Sequence, residues 1–227
     1  MGRETRCEQD RQGNKFQHIA AKLILPKEFV NDLTGILNAR FEVNKEYNLI
    51  TQRSLFMKIR NSTEKDFDRM IEIYSKARRY MAEHGNPNQW GPTHWPPEDL
   101  IHNDIRNGNS YVCLNDDGIV IGTFFFVHGR DIEPTYRVIK DGKWLDDSTY
   151  GVIHRIAGDG SEKGIGTYCI NWAFAQCGHL RIDTHGDNTV MQNLLRKLGF
   201  VRCGTIFVEE DEYPRLAFEK VSAGKIG

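Results

Sequence analysis

Long hydrophobic runs are absent from this sequence, and their absence excludes several classes of protein. No stretch of its 227 residues approaches the ~20 consecutive apolar residues that cross a bilayer, so no membrane partner is expected. No apolar run precedes a small-residue cleavage site near the N-terminus, so no secretory signal is expected. With 39% hydrophobic and 27% charged residues, the composition is typical of a globular protein.

The sequence also has almost no net charge and few cysteines. The formal net charge is −1 and like charges occur only in short blocks, so the basic surplus of a nucleic-acid-binding protein is missing. The five cysteines are odd in number and scattered, which is typical of a reducing cytoplasm and not of a disulfide framework. Cys177 and His179 are close, but no second Cys/His pair stands at zinc-ligand spacing, so no metal is expected.

The chain divides into an irregular N-terminal part and a regular remainder. Residues 1–55 are polar at first and then loosely apolar, and Pro26 interrupts any single helix there. This part is predicted to be an N-terminal extension of unknown role, either a genuine extra element or an upstream extension with a mis-called start. In residues 56–222, capping and turn residues clearly mark the ends of helices and strands, and this part is predicted to form one domain.

Periodicity and turn residues in the second part predict hairpins and helices. Thr63 and its neighbours supply capping residues ahead of an apolar stripe at helical spacing, and Asp117-Gly118 predicts a hairpin. The order β-α-α-β-β-β-α-β-α-β-β predicts an α/β (α+β) fold with a mixed sheet. The polar connection Arg130 to Asp147 is long enough to suggest a functional role.

A glycine-containing turn between the strand Tyr150–Ala157 and the next helix is the first feature with chemical meaning. Gly158 to Gly166 gathers backbone N–H groups and a helix N-terminus around one point, an arrangement that binds phosphate. Glycines can also ease such a turn without any ligand. A nucleotide P-loop is excluded, because the string Gly-x-x-x-x-Gly-Lys-Ser/Thr does not occur.

A dinucleotide-binding fold is a distant alternative. Asp183 ends the next strand at nearly the spacing expected of a residue that binds a ribose hydroxyl. However, about 45 residues follow Asp183, too few for the rest of a doubly wound sheet. The upstream half is also a hairpin. A nicotinamide-dependent oxidoreductase is therefore disfavoured.

Two motifs stand in a fixed order around the predicted strand His179–Thr184. The first is Ser161 to Gly166, and the second, twenty-two residues further on, is Asn188 to Phe200. They are similar to the patterns Arg/Gln-x-x-Gly-x-Gly/Ala and Asn-x-x-Ala-x-x-Leu-Tyr-x-Lys-x-Gly-Phe of the GNAT family of N-acetyltransferases. The order of elements agrees from about Met57 to Lys220. The resemblance implies a GNAT acyltransferase fold and acetyl-CoA as co-substrate.

The resemblance also implies where acetyl-CoA binds. In the family the glycine loop binds the CoA diphosphate, and backbone N–H groups, here around Ile156 to Gly158, hold the carbonyl oxygen. The implied cofactor-binding residues are Ile156, Ala157, Gly158, Ser161, Glu162, Lys163, Gly164, Ile165, Gly166, Thr167, Asn188 and Asn193. Ser161 stands where the family prefers Arg or Gln. Leu195 stands where many members have a tyrosine that protonates the departing thiolate.

In the family the strand before the glycine loop, here Tyr150–Ala157, splays from the next strand, here His179–Thr184, and the pantetheine arm runs between them. An attacking amine must lose a proton, so a base near this splay is expected. His154 is the candidate, because some family members carry a histidine there and histidine's intrinsic pKa is near ~6.5. The alternative is a strand histidine that only hydrogen-bonds a neighbour. Tyr150 and Arg155 are weaker candidates for the catalytic group.

The acceptor pocket of the family lies between the first two helices and the closing strands. Trp90 and Trp95, in the loop between those helices, either line that pocket or fill core. Glu209 begins an acidic run to Glu212 that either attracts a cationic amine or is a solvated loop.

The predicted function is transfer of an acetyl group from acetyl-CoA to a primary amine of a small molecule or peptide, by direct attack and without an acyl-enzyme. The alternative of another class is a CoA-binding regulator or degenerate acyltransferase, which Leu195 motivates. Homodimers built through the closing strands are common in the family, so a homodimer is compatible with the resemblance.

Overall fold

Residues 57–209 and 212–222 are described by the structure, a computed structural model. The predicted N-terminal extension, residues 1–55, lies outside them, so its role stays a prediction. The described helices and strands are β1 (Lys58–Asn61), α1 (Phe67–Glu83), α2 (Glu98–Arg106), β2 (Ser110–Leu114), β3 (Val120–Gly129), β4 (Tyr150–Gly158), α3 (Ile165–Cys177), β5 (His179–His185), α4 (Thr189–Lys197), β6 (Val201–Phe207) and β7 (Pro214–Val221).

The strands form one sheet in the order β1-β2-β3-β4-β5-β7-β6. Neighbours in the described sheet pair antiparallel except β4 and β5, which are parallel because α3 carries the chain back between them. The predicted mixed sheet and the predicted element order are thus confirmed. A doubly wound parallel sheet, which the dinucleotide alternative requires, is not what these strands form.

A capping box begins the first helical segment, as the sequence predicts. The Asp66 carboxylate accepts the backbone N–H of Thr63 at 2.8 Å, and the Thr63 side chain faces the third residue of the turn in return. Arg60 of β1 pairs with the same carboxylate at 2.7 Å. The Arg60 hydrogen bond is the main reason that the pKa of Asp66 falls to about 2, against the opposing effect of burial. The strand and helix α1 are thereby joined at one point.

Alternation along β4 assigns the layers on the two faces of the sheet. Ile153 packs in the cluster that contains the buried side of α3, whereas Ala157 packs in the cluster that contains α1 and α2. Val152 packs against residues of the β3–β4 connection, residues 130–149. Helices α3 and α4 therefore cover one face, while α1, α2 and this connection cover the other.

A buried ionic cluster holds the β3–β4 connection on the sheet. The Arg181 guanidinium lies between the rings of Trp144, at 4.3 Å, and Tyr150, at 4.1 Å. Its Nε donates to the Glu219 carboxylate at 2.9 Å, and His179 Nε2 lies 2.6 Å from the same oxygen. Glu219 and His179 are fully buried, so these contacts replace the water that both groups give up. The connection is thus fixed close to β4 and β5.

Candidate active site

The two parallel strands separate at the centre of the sheet. In the described chain β4 and β5 pair only at Gly151–Leu180 and Val152–Arg181, and they diverge beyond these pairs. A cavity of about 730 Å³ lies at this divergence, with walls from both strands, the glycine loop and the start of α4. The sequence-based expectation of a splayed strand pair next to a glycine loop corresponds to this cavity.

A β-bulge shapes the β4 wall of the cavity. The register with β3 shifts so that Arg155 and Ile156 together oppose Phe124. Arg155 has φ of +52°, a conformation that costs a non-glycine residue on the order of 1 kcal/mol. Its guanidinium is held by Asp104 at 2.6 Å, so it is already engaged. Beyond the bulge, residues 156–158 line the cavity along the edge that β5 has left.

The glycine loop leads directly into α3. Gly160 and Gly164 have φ of +80° and +89°, values that a residue with a Cβ rarely adopts. Gly164 is the N-cap of α3, so the N–H groups of the first turn have no partner within the helix. A Cβ on Gly166 would lie 3.2 Å from Leu194 Cδ2, which shows how closely α3 approaches α4 here. The loop therefore offers a backbone surface for an anion.

The predicted loop residues divide into those that line the cavity and those that do not. Gly158, Glu162, Gly164, Ile165 and Gly166 line it, together with Ile156 and Ala157 of β4. Ser161, Lys163 and Thr167 lie outside the lining. The Ser161 hydroxyl donates instead to Asp159 within the loop, at 2.6 Å.

The second motif divides in the same way. Asn188 lines the cavity as the N-cap of α4, where its Oδ1 accepts the Met191 N–H at 3.0 Å. Its Nδ2 donates to Gln89 Oε1 at 3.0 Å across the cleft. Asn193 is exposed, accepts a hydrogen bond from Arg196 at 3.0 Å and lies outside the cavity lining. The prediction that Asn193 contacts the cofactor therefore has no support in the cavity.

Leu195, at the position of the family's tyrosine, faces the core and not the cavity. Its side chain is 0% exposed and packs in the cluster beneath α3 and α4. The neighbouring Leu194 lines the cavity instead. Neither Leu194 nor Leu195 can therefore supply the hydroxyl that the family's tyrosine would place on this wall of the cavity.

His154 lies on the cavity wall between two carboxylates. Its Nε2 is 2.9 Å from Glu133 Oε2, and its Nδ1 is 3.6 Å from Asp183 Oδ1, which is too long for a hydrogen bond. Asp183 instead accepts the Tyr136 hydroxyl at 2.7 Å. Because Glu133 is partly buried, desolvation raises its pKa, but the His154 contact and the Thr135 N–H and hydroxyl outweigh this and lower it to about 2. Glu133 is thus an ionised partner for the imidazole.

Tyr150, the weaker catalytic candidate, does not line the cavity. Its side chain is 5% exposed and lies beneath the Arg181 guanidinium. Burial is the main cause of its raised pKa. Tyr150 is on the same face of β4 as His154, because side chains alternate along a strand. It lies four residues earlier, however, and packs under the β3–β4 connection and not at the cavity. The structure therefore assigns it a packing role.

Both tryptophans that are predicted to contact the acceptor lie at the cavity. Trp90 and Trp95 line it, and Trp90 also contacts the Tyr74 ring edge-on at 6.0 Å. Trp90 has φ of +65°, so the loop between α1 and α2 is bent sharply at that residue. Glu209 is exposed and lies outside the lining, where Val208 takes its place.

Glu133 is the main feature that sequence reasoning did not identify. It belongs to the β3–β4 connection, whose length alone suggested a function, and the 3-10 turn Pro134–Arg137 follows it directly. The sequence offers Asp183 only the role of a ribose ligand, whereas in the structure it faces His154 and Tyr136. Gln89 had no sequence signal, because its partner Asn188 is distant in the chain.

A mixed sheet that opens between one parallel strand pair, beside a glycine loop and a helix N-terminus, defines the class of protein. No family model and no curated protein matches this sequence. Solved structures do. An acetyltransferase of the GNAT family from Streptococcus agalactiae 2603 is 30% identical, with a TM-score of 0.66, and the match covers 73% of this chain and 95% of that one.

Two further structures share the fold at lower identity. A GNAT-family acetyltransferase from Listeria monocytogenes 4b F2365 is 16% identical, with a TM-score of 0.54, over 72% of this chain and 94% of that one. YjaB from Escherichia coli is also 16% identical, with a TM-score of 0.52, over 74% and 99%. The identity and coverage of the streptococcal relative establish that this chain belongs to the GNAT family of acetyltransferases.

Family membership makes the protein an acetyltransferase and implies an acyl-CoA donor. Among residues 57–209 and 212–222, no cluster of three or more His, Cys, Asp or Glu side chains is arranged to hold a metal ion. None of the helices that the structure describes is long and apolar enough to cross a membrane.

Proposed function

We propose that the protein is an N-acetyltransferase that uses acetyl-CoA to acetylate a primary amine of a small molecule or peptide by direct attack. The observation that carries the proposal is the His154–Glu133 pair, at 2.9 Å, on the wall of the cavity between the diverging strands. The acyl donor supplies an activated carbonyl, and the chain supplies binding, orientation and a place for the amine proton.

The loop residues fit a donor that carries a diphosphate. Gly164 caps α3 in the left-handed conformation, which leaves the N–H groups of the first helical turn directed out of the helix. Gly158 and Gly166 line the same stretch of cavity, so the backbone there is open to close approach by an anion. Residues 156–158 extend this surface toward His154. Their backbone groups on the β5 side of β4 are not paired with β5.

Glu133 favours one form of the imidazole. With Nε2–H donating to the Glu133 carboxylate, the lone pair of Nδ1 is left to accept a proton. The carboxylate also stabilises the imidazolium that forms when the proton arrives, as in other base–orienter pairs. His154 would thus act as the general base and Glu133 would hold its tautomer.

The spacing at Nδ1 supports a bound amine. Asp183 Oδ1 and His154 Nδ1 are 3.6 Å apart, so an amine nitrogen about 2.8 Å from each atom would complete a triangle with ordinary hydrogen-bond lengths. At that point the carboxylate would attract a protonated amine, and Nδ1 would take its proton before attack. Trp90 and Trp95 would bound the remainder of the acceptor.

The departing thiolate is the reason for the second hypothesis. Buried Leu195 removes the hydroxyl that many family members use as an acid, which favours a CoA-binding regulator or degenerate acyltransferase. Turnover is nevertheless compatible with the site, because a thiol with a pKa of ~8.5 leaves with little need of protonation.

One experiment separates these functions. The purified protein is incubated with acetyl-CoA and a panel of aminoglycosides, polyamines, amino acids and peptides with free N-termini, and released thiol is recorded. Amine-dependent thiol release is expected. CoA binding by thermal shift without release across the panel would support the regulator, and failure to bind CoA at all would exclude both functions.

The proposal also covers the location, the partners and the assembly of the protein. We propose a cytoplasmic enzyme whose partners are acetyl-CoA and the amine acceptor, without nucleic acid, membrane or metal, and with a homodimer as the assembly to test. Size-exclusion chromatography with light scattering measures the assembly directly.

A further inference from the structure

An acidic side chain lies inside the loop that is expected to receive an anion. Asp159 follows β4 directly, and its side chain is only 5% exposed. Its Oδ1 accepts the Ser161 N–H at 2.9 Å and the Ser161 hydroxyl at 2.6 Å. An unneutralised carboxylate at this place would repel a diphosphate at the start of α3, so its charge must be compensated.

Arg69 of α1 supplies the compensation. Its Nη2 lies 2.5 Å from Asp159 Oδ2, and its Nε donates to the Val120 carbonyl at 2.9 Å. Nη1 pairs with Glu72 on the next turn of α1 at 2.5 Å. One guanidinium therefore ties the first helix and the start of β3 to the glycine loop.

The same contacts account for the departure at Ser161. The GNAT pattern prefers an Arg or Gln there, whereas the serine is too short to reach far from the backbone and is bound to Asp159. The side chain of Ser161 thus shapes the loop, and the guanidinium that pairs with its partner Asp159 is that of Arg69, ninety-two residues before Ser161 in the chain.

We infer that Arg69 is a positioning residue for donor binding, which neutralises Asp159 and fixes the glycine loop in the form that receives the CoA diphosphate. The inference rests on the proposed function, since it requires that this loop bind CoA. Arg69 acts through Asp159 and Ser161, so its substitution changes the affinity for the donor and leaves the proton chemistry at His154 in place.

The test measures CoA affinity by isothermal titration calorimetry with Arg69→Met, Asp159→Asn and the double variant. Arg69→Met leaves a buried carboxylate uncompensated, so the Kd for CoA should rise about 10- to 100-fold. Asp159→Asn keeps an oxygen for Ser161 and removes the charge, so its Kd should equal or fall below that of wild type. The double variant should return to within about threefold of wild type, because it removes the Asp159 charge together with the guanidinium that neutralises it.

Kinetics give a second readout. At saturating acetyl-CoA the kcat of Arg69→Met should stay within about twofold of wild type while the KM for acetyl-CoA rises with the Kd. Arg106→Met, which removes an exposed arginine at the end of α2, is the matched control and should change neither value. Circular dichroism verifies folding, and Arg69→Gln, which keeps a donor, replaces Arg69→Met if that variant unfolds.

The outcomes are distinguishable. Failure of the wild type to bind CoA would exclude the proposed function itself. A wild type that binds CoA, together with an Arg69→Met Kd within twofold of it, would overturn the inference about Arg69. A double variant as weak as Arg69→Met would also overturn it, because charge compensation would then not be the cause.

Discussion

Replacing Glu133 with glutamine tests the pairing on which the site depends. The Glu133 carboxylate lies 2.9 Å from His154 Nε2 and also accepts the Thr135 hydroxyl at 2.7 Å. Although burial raises the pKa of Glu133, these partners lower it from the ordinary 4.5 to about 2. That change in pKa corresponds to roughly 3 kcal/mol in favour of the ionised form in the folded protein. This figure is an upper bound on what the Glu133 contacts contribute to stability.

The stability effect has a defined pH window. Because the pKa of Glu133 is lower in the fold than in the unfolded chain, its contribution is present above about pH 4.5 and is lost as the pH falls toward 2. Glu133→Gln should therefore reduce the free energy of unfolding by about 1–3 kcal/mol at neutral pH. The difference from wild type should shrink progressively in acid. Urea denaturation followed by circular dichroism at several pH values measures it.

The kinetic effect separates orientation from folding. Glutamine can still accept the Nε2–H of His154 but cannot stabilise the imidazolium, so kcat/KM for the amine should fall about 10- to 100-fold. Glu98→Gln, at an exposed position of α2, is the matched control and should retain full activity. Unchanged stability across pH together with unchanged kcat/KM in Glu133→Gln would refute the assigned pairing.

Three other substitutions have expected outcomes. Leu195→Tyr should lower stability by about 1–3 kcal/mol in urea denaturation without raising kcat, because the leucine is 0% exposed in the core and its side chain does not reach the cavity; a gain in kcat would contradict this. Glu219→Gln should lower the free energy of unfolding by about 3–5 kcal/mol, because it leaves the buried Arg181 guanidinium without its carboxylate; a loss below about 1 kcal/mol would contradict the role given to that cluster. Gly122→Ala would put a Cβ 2.6 Å from Ile165 Cγ2, so the KM for acetyl-CoA should rise as the start of α3 shifts; a KM equal to that of wild type would show that α3 absorbs the methyl group.

The parts of the site that lie in continuous motifs could be predicted from the sequence. Gly158 to Gly166 and Asn188 to Phe200 are local strings, and their backbone requirements are met within a few residues. The strand–turn–helix order around them follows from periodicity, and the resemblance to the GNAT family implies the splayed pair of strands. The position of His154 beside the first motif could be predicted for the same reason, since it precedes that motif on one strand.

Contacts between distant segments could not be predicted. Glu133 is twenty-one residues from His154, in a connection without helical or strand period, and the bulge at Arg155 decides which side chains of β4 share a face. Arg69 meets Asp159 only because α1 packs over β3 and β4. Asn193 belongs to the second motif by sequence, but the motif does not show that its side chain is exposed and outside the cavity lining.

The central claim is that His154 accepts the proton of the amine during acetyl transfer. Its most direct measurement is kcat/KM for the acceptor, by thiol release at saturating acetyl-CoA, as a function of pH for wild type and His154→Ala. The account predicts a fall of about 10²- to 10⁴-fold in the variant and a pH profile that differs in shape from that of wild type. A variant with wild-type turnover and an unchanged pH profile would contradict it.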